Sequence, residues 1–130
     1  MNFKWDVIKW DEIIISSIIL LTLDSIYLSS FSQFFNSLIT KIQGSKIQFR
    51  LSGAILCYIF LIFGLNYFII HPRKSVMDAF LLGLIIYGVY ETTNYTIIDK
   101  WSIPAVVIDT LWGAILFTLT TYITYNLLRN

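Results

Sequence analysis

Residues 76–98 read VMDAFLLGLIIYGVYETTNYTII. The run matches the roughly 20 mainly apolar residues that a membrane-spanning helix needs. It also holds a carboxylate, Glu91, well inside. Its β-branched content would suit a strand in water. A transmembrane strand, however, alternates lipid-facing and lumen-facing residues over about 10 positions. This run is too long and too evenly apolar for that. Only helices and closed barrels satisfy their backbone in lipid, so the stretch is read as a spanning helix. Ser75 is placed to cap its start, and Asp78 falls in its first turn.

Working outward, three further segments share this character: about 13–33, 53–70 and 103–127, with Pro104 suited to a helix start. The expected fold is an all-α, four-transmembrane-helix antiparallel bundle, one domain over 1–130. The connections 71–75 and 99–102 are short, so the second and third spans, and the third and fourth, are expected to form antiparallel hairpins. Residues 34–50 are longer. Phe34, Phe35, Leu38, Ile39 and Ile42 recur at helical spacing, with Asn36, Lys41 and Gln43 elsewhere on the wheel and Gly44 interrupting. Two readings fit: a short helix lying in the headgroup region, or an extension of the first span followed by a loop.

Composition agrees. Of 130 residues, 57% are hydrophobic and 13% charged, about half the charged fraction of soluble domains. This excludes a soluble binding module. A net charge of +1 leaves no nucleic-acid footprint. A single cysteine, Cys57, excludes a disulfide framework. The N-terminus lacks the apolar core and cleavage site of a signal peptide, so Met1 is read as the mature start. Trp5, Trp10, Tyr67, Tyr122 and Tyr125 fall near one face, Tyr95 and Trp101 near the other, as interfacial aromatics do. Lys4, Lys9, Arg73, Lys74 and Arg129 oppose Lys41, Lys46, Arg50 and Lys100, a balance that leaves orientation open.

Apart from Asp78 in the first turn of the third, three acids lie within the four spans, Asp24, Glu91 and Asp109, with no lysine or arginine beside them. Each costs at least ~2.5 kcal/mol at mid-bilayer. They must be protonated, share protons, accept hydrogen bonds, or hold a cation. Glu91 lies about 10 Å, Asp109 about 9 Å and Asp24 about 14 Å from one face, at 1.5 Å per residue. The three are candidate catalytic residues converging in a pocket near 34–52 and 99–102. At i±3 and i±4 each acid has an aromatic donor: Tyr27 for Asp24, Tyr87 for Glu91, Trp112 for Asp109. Tyr90, Asn94 and Gly113 complete the expected lining. Gly83, Gly88 and Gly113 are small enough for close helix approach. Tyr58 and Asn66 are read as packing residues. Thr118, Thr120, Thr121 and Thr124 are expected to bond back to their own backbone. His71 sits at the opposite face, so no metal site and no cofactor are evident.

These residues resemble the family of predicted membrane proteins called domain of unknown function 2177. Its pattern, D-x-x-W-L, then Y-G-x-Y-D-x-T-N, then D-x-x-W-G, is met here by Asp24, Tyr27 and Leu28. It is met next by Tyr87, Gly88, Tyr90, Glu91, Thr93 and Asn94, and then by Asp109, Trp112 and Gly113; Trp101 precedes the last acid as in the family. Tyr27 replaces the usual tryptophan and Glu91 the usual aspartate. The resemblance implies bacterial and large-DNA-virus relatives, hence a bacterial inner membrane or a viral or host membrane. It implies no established activity. It favours a lipid role to the extent that bacterial relatives neighbour genes for fatty-acid-modifying enzymes.

Three functions compete. The first is a lipid-modifying or lipid-binding site using the carboxyls as acid and base. The second is a structural or accessory subunit whose polar core fixes packing. The third is a proton or cation pathway, disfavoured because the acids crowd one half of the membrane. Expected partners are membrane lipid and a second copy or another membrane protein, not nucleic acid.

Overall fold

The computed structural model of the chain describes residues 9–129. Lys4 and Trp5, assigned above to one face, and Met1 lie outside that range. Four helices are long and apolar enough to cross a membrane. α1 is Trp10–Ser30. A short helix, α2, is Ser32–Gln43. α3, Leu51–Leu65, runs on into a π-helical turn at Asn66–Ile70. α4 is Val76–Ile97 and α5 is Ile103–Leu127.

Local chemistry sets the ends. Ser75 Oγ accepts from the Asp78 N–H at 3.1 Å and caps α4. Ser102 does the same for α5 through the Ala105 N–H at 3.2 Å, with Pro104 in the first turn. α2 stops at Gly44, whose φ of 78° suits a residue without a Cβ. Phe31 alone separates α1 from α2. Phe35, Ile39 and Gln43 border the same cavity as Glu91 and Asp109. A straight extension of α1 would carry Gln43 about 24 Å beyond Tyr27, at 1.5 Å per residue. α2 therefore folds over the end of the bundle, and the separate-helix reading of 34–50 holds.

α1 runs antiparallel to α3 and to α5. One buried stripe of α1 contains Glu12, Ser16, Leu20 and Asp24. The Asp24–Trp112 and Tyr27–Asp109 hydrogen bonds fix its register against α5. In that register Leu20 is level with Leu116, Ser16 with Thr120, and Glu12 with Thr124. On α3 Tyr58 meets Asp24, and in the π-helical turn beyond it Asn66 meets Ser16. The core is thus layered. An apolar belt of Leu20, Leu65, Leu116 and Phe117, all fully buried, separates a polar region around Asp24 from another around Ser16, Asn66 and Glu12. Apolar side chains such as Ile18, Phe60, Ile85 and Val89 cover the outside, as lipid contact requires.

α4 and α5 are the most intimate pair. A Cβ at Gly83 would overlap the Gly113 carbonyl oxygen, and one at Gly113 would overlap the Tyr87 ring. Gly88 has ordinary room, with Thr110 Cγ2 3.6 Å from where its Cβ would stand. In lipid, where helices gain nothing by hiding apolar surface from one another, such close packing is a principal source of cohesion. The hairpin expected of the second and third spans is only partly met. α3 and α4 run in opposite directions but barely touch, and α3 packs on α1 instead. A short loop fixes direction; side-chain complementarity chooses the neighbour.

Candidate functional site: a carboxyl pair beneath an amphipathic helix

α2 buries Leu38, half-buries Phe34, Phe35, Ile39 and Ile42, and leaves Asn36 and Lys41 exposed. The segment after it is tied back to it. Asn36 Oδ1 accepts from the Ile47 N–H at 3.1 Å, and Gln43 Nε2 donates to the Ser45 and Lys46 carbonyls at 3.1 and 2.9 Å. Lys100 Nζ, from the α4–α5 turn, reaches the Lys41 carbonyl at 3.5 Å. Together these form a roof. Beneath it is an open cavity of about 500 Å³, with Glu91 and Asp109 in its wall and Arg50, Gln48 and Tyr90 among its polar lining. Small-molecule sites run from roughly 300 to 1,000 Å³.

Glu91 is almost fully buried, at 1% exposure. The Trp101 indole N–H donates to its Oε1 at 2.8 Å. The Tyr27 hydroxyl donates to Asp109 Oδ1 at 3.1 Å. Glu91 and Asp109 stand together in the cavity wall, where a proton on one carboxyl would let it donate to the other. Asp24 sits one layer deeper and does not border the cavity. Its Oδ1 accepts from the Trp112 indole at 2.8 Å and its Oδ2 from the Tyr58 hydroxyl. Tyr27 stacks on Trp112, centroids 4.6 Å apart and planes 11° from parallel, joining the two levels.

The donors differ from the pairing expected along each helix. Trp112 serves Asp24 rather than Asp109, Tyr27 serves Asp109 rather than Asp24, and Trp101 serves Glu91 in place of Tyr87. Residues three or four apart lie side by side on one face, so their polar tips meet groups on the opposing helix. Tyr87 lies against Gly113 and edge-on to Phe117, 6.5 Å away. Of the expected lining residues Tyr90 borders the cavity, while Tyr27, Tyr87, Asn94, Trp112 and Gly113 do not. Asn94 is buried a turn beyond Glu91.

Three features escaped the sequence reading. Tyr58 holds Asp24 rather than merely packing. Only Thr118 of the four threonines bonds back, to the Ala114 carbonyl at 2.7 Å. The hydroxyls of Thr120, Thr121 and Thr124 are buried without a partner among the described residues. Glu12 is a fourth buried acid, 2% exposed, because α1 begins a turn before the first apolar residue. Arg73 Nη2 stands 3.1 Å from its Oε2 and His71 Nδ1 3.4 Å from its Oε1. Spacing was the available signal, since Glu12, Ser16, Leu20 and Asp24 are successive i+4 positions.

Four apolar helices around buried carboxyls define a multi-pass integral membrane protein. More particularly, the chain belongs to the family described as a predicted membrane protein, domain of unknown function 2177, whose model matches residues 11–126. No curated protein and no solved structure matches it.

Proposed function

We propose that the cavity under α2 is a lipid site, in which the Glu91–Asp109 pair meets the polar end of a lipid and can exchange a proton with it. The observation that carries this is the placement of two carboxyls, Glu91 and Asp109, in the wall of a cavity between spanning helices and an amphipathic roof. A ligand there would have its polar group against the acids and an apolar part along Leu28, Phe35 and Ile39. Two neighbouring carboxyls, one able to donate and the other to accept, are an arrangement that general acid–base chemistry uses.

Asp24 favours the accessory reading for itself alone. Both its oxygens are occupied by protein donors, so its work is to join α1, α3 and α5. A through-membrane proton or cation path is disfavoured by the fully buried belt of Leu20, Leu65 and Leu116 between the two polar regions.

Thermal unfolding of the purified protein, with and without extracted membrane lipid or divalent cations, tests the reading. A ligand present at 100 times its Kd stabilises by about 2.7 kcal/mol. Lipid should therefore raise the midpoint of the wild type by several degrees and leave Glu91→Gln unmoved. Equal responses from both proteins would sink the lipid site and leave the accessory role.

A further inference from the structure

The cavity is not uniformly acidic. Arg50 immediately precedes α3 and borders the cavity, and its guanidinium has no carboxylate partner among the described residues. In the wall, facing the same space, are the two acids Glu91 and Asp109. The Tyr90 hydroxyl, also without a protein partner among the described residues, borders the same space. A complementary ligand is an anion beside a cation.

Chemistry narrows this further. A guanidinium favours phosphate, which it can grip through two parallel hydrogen bonds. One oxygen of each carboxyl is already served, Glu91 Oε1 by Trp101 and Asp109 Oδ1 by Tyr27. A cation rich in N–H donors can add bonds there, and a primary ammonium brings three. A quaternary ammonium brings none and is too bulky to approach the oxygens closely. We infer that the cavity takes a phospholipid headgroup bearing a primary amine, its phosphate at Arg50 and its ammonium at Glu91 and Asp109. The inference rests on the lipid reading above and names the class of lipid.

Binding to the full-length protein in detergent is measured with lipids of identical acyl chains. The series runs from phosphatidylethanolamine through its N-methyl and N,N-dimethyl forms to phosphatidylcholine, with phosphatidylglycerol and diacylglycerol alongside. Charge-assisted hydrogen bonds are the strong ones, so phosphatidylethanolamine should bind at least about tenfold tighter than phosphatidylcholine, with affinity falling stepwise on methylation. Glu91→Asp should keep the preference, and Glu91→Gln should bind every member of the series weakly and without preference. Arg50→Gln should weaken every phosphate-bearing lipid in proportion and leave diacylglycerol unchanged. The methylation series needs no variant, so a misfolded Glu91→Gln does not blunt the test.

Equal binding of phosphatidylethanolamine and phosphatidylcholine, or tighter binding of phosphatidylglycerol, would overturn the headgroup assignment. The lipid site would survive if these lipids still stabilised the wild type and not Glu91→Gln. Glycerophosphoethanolamine binding as tightly as the lipid would overturn the assignment in favour of a soluble ligand. If no lipid binds, both readings fall.

Discussion

Asp24 keeps one carboxylate oxygen on the Trp112 indole and the other on the Tyr58 hydroxyl. Glu91 keeps one on Trp101 and turns the rest of its carboxyl to Asp109 and the cavity. Two acids of similar burial are thereby given different work. Removing the Tyr58 hydroxyl leaves a buried oxygen of Asp24 without its donor, which costs about 1–3 kcal/mol. Tyr58→Phe should lower unfolding stability by that amount, measured by reversible denaturation in mixed micelles. Combined with Asp24→Leu it should cost less than the sum of the two changes, since the partners then vanish together. Strict additivity would mean that the contact carries no weight.

Among the elements, the α4–α5 pair makes the sharpest demand on sequence. Gly83→Ala forces a methyl into the Gly113 carbonyl and should destabilise by about 1–3 kcal/mol, as overpacking does. Gly88→Ala, whose methyl would make only an ordinary contact with Thr110, should stay within about 0.5 kcal/mol. Thermal midpoints of the two variants separate the roles, and equal effects would refute the close approach at Gly83. The helices themselves were legible because lipid demands unbroken apolar runs, and Ser75 and Pro104 marked two starts. Partners across helices were not. Wheel geometry says which residues share a face, but the rotation of that face toward a neighbour depends on packing. That is why spacing alone pairs Trp112 with Asp109 and gives Tyr58 only a packing role. Glu12 was missed because hydropathy opens the first span at Ile13, whereas Arg73 and His71 let the helix start earlier.

Across the whole molecule, the apolar belt divides the interior into two polar regions of different access. The Asp24 and Glu12 carboxyls are enclosed by protein donors or cations, while Glu91 and Asp109 open onto the cavity. A hydrophobic carbodiimide attacks protonated carboxyls that it can reach from the apolar phase. Peptide mass analysis of the labelled protein should find adducts on Glu91 or Asp109 and none on Asp24 or Glu12. Preferential labelling of Asp24 would show that the cavity reaches a different acid.

The matched rows of α1 and α5 also bear on how a chain like this can vary over generations. Each residue turns a helix by about 100°, so one residue gained or lost between Glu12 and Asp24 would swing one of these carboxyls out of its polar niche and into hydrocarbon. Residues gained or lost at 44–50 would move no row and would only retune the mouth of the cavity. Length is therefore heritable cargo in the spanning helices, open to spelling changes alone. The roof is where this design has freedom to diversify.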